Sequence, residues 1–454
     1  MACEWPRLSL REANVALIDC DHRTPPASPY GYPYVTIPQL RNGRIELVSA
    51  RRITPERFAD WTRRAKPSPF DVVLSRRCNP GETAFVEAGA EFALGQNLVL
   101  LRADGTKVHP PYLRWLVRGP EWWDEISKYL NVGAVFDSLR CADIPKFELR
   151  IPPLPEQRAI SDILGTLDDK IELNRRMSET LEVMARALFK SWFVDFLPVR
   201  AKQRARTQTG DPVRAKAEGR DAGLPLHIAE LFPDSFEDSE QGEIPEGWEV
   251  TEVDSLCQSI ASGGTPARMN PAFWENGRIP WFKTGELLDG PLLDSEEHIT
   301  ETALENSSCK LWPAGTILLA LYASPTVGRL GVLTQPGTAN QAAAGLIAKP
   351  AYGVPFLRRA LLAARAKLQA IAVGAAQQNI NQGVLKAHRV VIPNTSVAEV
   401  YARLVAPLDT RQVTLAEQSR ALGALRDALL PKLISGELRT RPACEDQGCL
   451  ECRC

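Results

Sequence analysis

Between residues 155 and 197, small and apolar residues return at alternating steps of four and three: Ile160, Leu164, Leu167, Ile171, Asn174, Ser178, Leu181, Ala185, Leu188 and Trp192. This heptad seam predicts one long helix whose stripe packs against another helix. A helix of about 40 residues would run roughly 60 Å at about 1.5 Å per residue, well past the length of an ordinary core helix. The same spacing returns 241 residues later as Tyr401, Val405, Leu408, Gln412, Leu415, Ser419, Leu422, Arg426, Leu429 and Leu433. A second long helix is therefore expected, with the two seams facing each other. Asn174 is a costly seam residue that can fix register. Pro407 lacks a backbone N–H and is expected to kink or interrupt the second helix in its first third.

The stretches ahead of the helices repeat as well. Residues 1–150 carry short strand signals (YVTI, RIELV, DVVLSRR, NLVLLRA) and then a helical stretch, PPYLRWLVRGPEWWDEI, with Pro110 and Pro111 in its first turn. YPYVTIPQL answers to IPWFKTGEL, Ile53-Thr54 to Ile299-Thr300, and PFDVVLSRR to PAGTILLALY. LGQNLVLL answers to TANQAAAGLI, VHPPYLRWLV to GVPFLRRALL, and GAVFDSLRCADIPKFELRIPP to GAAQQNINQGVLKAHRVVIPN. The offset drifts only from 247 to 241, as small loop deletions between two copies of one unit would produce.

The pattern predicts an α+β fold: two globular α/β domains separated by two long antiparallel coiled-coil helices, as a pseudo-two-fold internal repeat. The expected segments are a first domain at 1–152, a first helix at 153–197, a linker at 198–243, a second domain at 244–393, a second helix at 394–438 and a disordered Cys-rich tail at 439–454. The linker assignment rests on PVRAKQRARTQTGDPVRAKAEGRDAG, a basic, polar run almost without aliphatic residues that reads as a solvated connection.

Composition narrows the function. At 454 residues the chain exceeds what one core usually serves. It shows no run of about 18 uncharged apolar residues, and charges stand where a signal peptide would need its apolar stretch, so a cytoplasmic protein without a membrane partner is expected. A net charge of −1 sets it apart from uniformly basic nucleic-acid binders, although local charge or a partner subunit can supply phosphate contacts. Of ten cysteines, Cys444, Cys449, Cys452 and Cys454 crowd the tail. Thiolates suit zinc, but this compressed spacing in a polar terminal segment does not read as a metal site.

No phosphate-binding glycine loop or metal-binding helix motif occurs, and His22, His109, His227, His298 and His388 are scattered, so no cofactor is expected. His109-Pro110-Pro111-Tyr112 and Asn270-Pro271-Ala272-Phe273 imitate the Asn/Asp/Ser-Pro-Pro-Tyr/Phe motif of amino-methyltransferases, each imperfectly. Asp168, Asp169 and Glu172 read as ion-paired helix residues, not as a nuclease site. Duplicated domains on a rigid spacer suit holding two things a fixed distance apart.

The run IPPLPEQRAISDILGTLDDKIELNRRMSETLEVMARALFKSWFVDF resembles the helical region of the specificity subunits of type I restriction-modification enzymes, as do LFPDSFEDSEQGEIPEGW, AAQQNIN and LRDALLPKLISGEL. The resemblance spans nearly the whole chain; Pro407, the SVAE at 396–399 and the Cys-rich tail depart from it. It implies that each globular unit is a target recognition domain reading half of a bipartite double-stranded DNA sequence. It further implies that the helices set the spacer and dock two methylation subunits, that restriction subunits join, and that the chain is not itself catalytic.

Base-reading residues do not carry over by motif in such domains, so chemistry nominates them. Arg76 and Arg77 suit guanine or phosphate, and Gln96 and Asn97 suit adenine. In the second unit the candidates are Lys283, Tyr322, Arg329, Asn340 and Gln341, with Gln377, Gln378 and Asn379 before the exit helix. Each competes with a plain reading as a surface or turn-capping polar residue. A complete methyltransferase or nuclease, and a purely structural coiled-coil adaptor, are the rival functions. The missing cofactor and metal motifs oppose the first, and the two large, diverged domains oppose the second.

Overall fold

The computed structural model describes residues 5–133, 137–209, 224–322, 325–373 and 379–440. It divides into two units, Met1–Ile171 with Ala421–Cys454, and Glu172–Arg420. Residues 441–454 of the Cys-rich tail, and Gln377 and Gln378, lie outside the described residues.

In the first unit an antiparallel sheet runs in the order Val15–Asp19, Leu98–Ala103, Val72–Ser75, Thr83–Phe85. Its strands are apolar at successive positions because both faces are covered. Val72, Leu74, Val99 and Leu101 face a core built with Tyr112, Leu113, Ile160, Leu164 and Leu433. Val73, Leu98 and Leu100 face a second core with Val35, Phe92 and Leu94. A smaller sheet sets Tyr32–Val35 between Arg51–Ile53, antiparallel, and Ala93–Leu94, parallel.

The second unit builds the same parts. Cys257–Ser262, Ala343–Ala348, Ile317–Ala320, Leu330–Leu333 and Pro291–Leu292 form its main sheet. Ile279–Phe282 lies between Glu297–Ile299 and Thr338–Ala339 in the smaller one. The equivalence holds residue by residue. Tyr32 pairs with Ile53 as Ile279 pairs with Ile299. Thr54 and Thr300 then cap the following short helices through Arg57 N and Ala303 N.

The two long helices, Leu154–Phe193 and Thr395–Ser435, contribute to both units. Within the second unit Asn174 Nδ2 donates to Ser419 Oγ at 3.3 Å, Gln412 Nε2 to Ser178 O at 3.0 Å and Tyr401 Oη to Ala185 O at 3.3 Å. Rising numbers on one helix meet falling numbers on the other, so the pair is antiparallel. Within the first unit Arg426 with Asp168 (2.6 Å) and Arg439 with Glu156 (3.1 Å) run in the same sense. Ile160, Leu164, Val405 and Leu415 are buried, and Leu167, Ile171, Leu181, Leu188, Leu408, Leu422 and Leu429 are half-buried. Near its C-terminal end the first helix adds an aromatic cluster, in which Phe193 packs edge-on to Phe356 and Tyr401 with ring centroids 5.1 and 5.0 Å apart.

Three local expectations change. Pro407 does not interrupt its helix, which is continuous over 41 residues. Pro407 and Arg403, whose carbonyl loses its partner, both lie on the exposed side, where water can replace the missing bond, while Tyr401, Val405 and Leu415 stay buried on the seam. The stretch read as a solvated linker opens with a helix, Leu197–Thr209, whose Val199 is fully buried. After residues 210–223, which are not described, Ile228 and Phe232 join the second unit's core. The helical stretch at 110–126 is two helices, Pro110–Leu116 and Pro120–Tyr129, because Gly119-Pro120 breaks it; the second copy has neither residue there and runs on as Gly353–Val373.

Candidate nucleic-acid interface

In each unit the strand of the smaller sheet that ends at Leu94 or Ala339 turns directly into a strand of the main sheet. Gly95 N donates to Val35 O at 2.7 Å and Leu98 N to Gly95 O at 2.9 Å; Asn340 N donates to Phe282 O at 3.0 Å and Ala343 N to Asn340 O at 3.1 Å. The equivalent hydrogen bonds put the turns in one register, so Gly95 matches Asn340 and Gln96 matches Gln341. Both glutamines are exposed.

A second loop closes on each turn. Arg76 N donates to Asn97 O at 3.0 Å, and its counterpart Leu321 N donates to Ala342 O at 2.8 Å. Leu139 N then reaches Arg76 O at 2.8 Å, as Ile380 N reaches Leu321 O at 2.7 Å. The fold thus gathers Arg76, Arg77, Gln96 and Asn97 in one place. In the other unit it gathers Tyr322, Asn340 and Gln341, with Asn379 beside Ile380.

The candidates differ in what they have left to offer. Arg77 is exposed, but Arg76 is only 9% exposed and places its Nη2 3.2 Å from His22 Nδ1, while its Nε is buried without a partner. Asn97 is half-buried. Asn340 spends its Oδ1 on Ala342 N, a turn-capping use. Lys283 sits between Glu296 (2.8 Å) and Glu297 (3.1 Å), which hold its ammonium above the ordinary lysine range and offset its charge. Arg329 is half-buried, and its carbonyl accepts from Ala320 N at 2.9 Å.

Several participants carry no local pattern in the sequence. Asp19 ends a strand, and Cys20 and His22 just after it meet the first turn. His22 Nε2 pairs with Asp19 at 3.0 Å, and Cys20 Sγ donates to Gly95 O at 3.3 Å. Burial, with Asp19 alongside, pushes the Cys20 thiol up to about 12, so it remains a protonated donor. These three residues bring possible metal ligands within 4.8 Å of one another. As they stand, the thiol donates to Gly95 O, His22 pairs with Asp19, and the Arg76 guanidinium is set against the His22 ring.

An arginine also lies over the matching aromatic of each unit: Arg51 over Tyr34 at 4.5 Å, and Arg268 over Trp281 at 4.6 Å. Arg51, Tyr34, Gln96 and Asn97 border an open cavity of about 320 Å³.

The helix behind each main sheet is tied to a long helix by equivalent charges. Arg114 faces Asp168 at 4.0 Å, and Arg358 faces Asp409 at 3.2 Å, Asp409 lying 241 residues after Asp168. Burial pushes the Arg114 guanidinium down to about 10 against the pull of Asp168. In the second unit Arg358 and Arg359 share Glu182 (2.9 and 3.0 Å) and Asp409. Burial would raise the Glu182 carboxyl, but Arg358, Arg359 and Arg186 outweigh it and hold it below the usual range.

Gln157 has a comparable role at the start of the first long helix. Fully buried, it accepts from His109 N at 2.6 Å and donates to Lys107 O and Pro152 O at 2.7 Å. The second helix uses Asn394 instead, whose Oδ1 caps Val397 N at 2.9 Å.

The family described as type I restriction modification DNA specificity domain matches residues 21–183 and again residues 245–422, once on each copy of the repeat and well over half of the chain together. The chain belongs to this specificity-domain family. Among relatives, the HindI type I restriction enzyme specificity subunit of Haemophilus influenzae is 25% identical over 418 residues, covering 81% of this chain and 86% of that protein. The MjaIX specificity subunit of Methanocaldococcus jannaschii is 25% identical over 414 residues, covering 90% and 87%. The crystal structure of the type I restriction-modification S subunit from M. genitalium shares the fold, with a TM-score of 0.54 over 96% of this chain and 97% of that one at 15% identity. No helix among the described residues is long and apolar enough to cross a membrane.

Proposed function

We propose that this specificity-domain protein is the DNA-reading subunit of a type I restriction-modification complex. Its domains at 1–152 and 244–393 each read one half of a bipartite duplex target. The helices at 153–197 and 394–438 set the unread spacer and receive two methylation subunits, with restriction subunits joining the complex. Chemistry belongs to those partners and not to this chain. The observation that carries the reading is the family match falling separately on each copy of a repeat whose two turns make equivalent backbone hydrogen bonds. Two readers joined by a stiff connection gain specificity from their separation and affinity from being linked.

The stand-alone methyltransferase reading loses its two motif imitations. Tyr112 is fully buried at a helix start and has no face to offer a base, and Asn270 uses its side chain to cap Ala272 N at 3.2 Å. The test is to co-express the chain with a methylation subunit and sequence the methylated sites. A single bipartite motif is expected, with none when either subunit is expressed alone. Methylation by the isolated chain overturns the proposal.

A further inference from the structure

Gln96 and Gln341 occupy one structural position in the two copies, at the exposed apex of the turn where the small sheet passes into the main sheet. The backbone of each apex is met by side chains that the repeat does not share. In the first copy Cys20 Sγ donates to Gly95 O, and the carbonyl of Gln96 lies 3.2 Å from His22 Nδ1. The same nitrogen lies 3.2 Å from Arg76 Nη2. The exposed ring therefore donates to the carbonyl when Nδ1 carries hydrogen and accepts the arginine's hydrogen when it does not.

In the second copy Tyr322 Oη donates to Gln341 O at 2.6 Å, and Thr265 Oγ1 donates to Gln341 Oε1. Two unrelated residues, His22 and Tyr322, thus meet the same carbonyl. Support that persists at one backbone atom while its chemistry changes is what a turn needs when it must present a side chain in a fixed place. A glutamine amide offers a donating NH2 and an oxygen with two lone pairs, so Gln341 Oε1, which takes one hydrogen from Thr265, keeps a lone pair for N6 of adenine in the major groove while Nε2 donates to N7.

We propose that Gln96 and Gln341 are equivalent base-reading residues, each taking an adenine in its own half-site, and that His22 and Tyr322 are positioning residues that hold those apices. The inference rests on the functional reading above and adds to it the reading atoms and their supports.

The test uses the complex of the full chain with its methylation subunits, acting on a library in which both half-sites are randomised. Gln96→Ala is expected to lower discrimination at one base position of one half-site tenfold or more, and Gln341→Ala to do so at one position of the other half only. Gln96→Glu, which has only acceptors, moves the preference at its position from adenine to cytosine. Tyr322→Phe removes one hydroxyl and weakens discrimination severalfold at the same position as Gln341→Ala, with no further loss when the two are combined. His22→Ala behaves likewise with respect to Gln96→Ala. Unchanged melting temperatures separate these effects from loss of fold.

If the unsubstituted complex methylates no bipartite target, the functional reading fails. If it does, the inference is overturned when the glutamine variants leave every position's preference intact, weaken both halves alike, or when Tyr322→Phe acts at a position that Gln341→Ala leaves untouched.

Discussion

Replacing Asp409 with asparagine tests how the second recognition domain is held to the long helices. Arg358 and Arg359 are 5% and 1% exposed at their side chains and face two carboxylates, Glu182 and Asp409. Arg359 reaches Asp409 Oδ2 at 2.7 Å and Oδ1 at 2.5 Å, a bidentate fork. Asp409→Asn keeps the shape but leaves two buried guanidinium groups to one carboxylate. Stripping one partner from a buried ion cluster costs about 3–5 kcal/mol, since the remaining charge stays desolvated. Gln412→Ala, which removes a 3.0 Å bond to Ser178 O and a 3.4 Å bond to Glu182 of the cluster, is expected to cost about 1 kcal/mol. At about 2–4 °C per kcal/mol for a unit of this size, Asp409→Asn lowers the second unit's melting temperature by roughly 6–20 °C. Calorimetry of the full chain measures this, and hydrogen exchange across Gly353–Val373 assigns the transition to the second unit. Adding Arg359→Met, which removes the surplus charge and fills the space, restores most of the loss. A shift of under about 2 °C, or one no larger than that of Gln412→Ala, would refute the claim that the charges bind domain to helix.

Other consequences follow from the same structure. Asn174 gives Nδ2 to Ser419, while its buried Oδ1 has no partner. Asn174→Leu therefore leaves the melting temperature unchanged or raises it, and a fall of more than about 1 kcal/mol would contradict that account. For acid stability, burial would raise the carboxyls of Glu182 and Asp289, yet their arginine partners hold both below the ordinary values of 4.5 and 3.8. A lowered folded-state value stabilises above the ordinary one and is lost as pH falls through the folded one. The second unit's melting temperature should thus drop as pH falls below about 4.5, and Glu182→Gln should be less stable at neutral pH with a flatter acid profile. A heptad inserted into both helices, after Lys170 and opposite it after Gly423, adds about 10 Å and hence about three unread base pairs, with both half-sites kept. Methylation mapping checks this, and an unchanged spacer means the helices do not set it.

The repeat was legible because it is written in local chemistry. Ile53-Thr54 and Ile299-Thr300 end a strand and cap a helix in both copies, and alternate residues of VVL and LVLL fill two cores. The candidate site was legible only in part. Gln96 and Gln341 stand out as polar residues beside apolar strands, but His22, Cys20 and Tyr322 reach the turns through tertiary contacts that no periodicity encodes. Lys283 is nominated by residue type alone, and its pairing with Glu296 and Glu297, from a neighbouring strand region, is tertiary. Pro407 looked disruptive because helix propensity is local, whereas its helix is maintained by seam burial on the opposite side.

The central claim is that two domains of one chain read two separate half-sites. Its most direct measurement is a domain exchange: residues 1–152 are replaced by those of a relative with a different target, and the methylated sites of the assembled complex are sequenced. The account predicts a motif with one half replaced by the donor's, the other half unchanged and the spacer conserved. A motif that changes in both halves, or in neither, would contradict it.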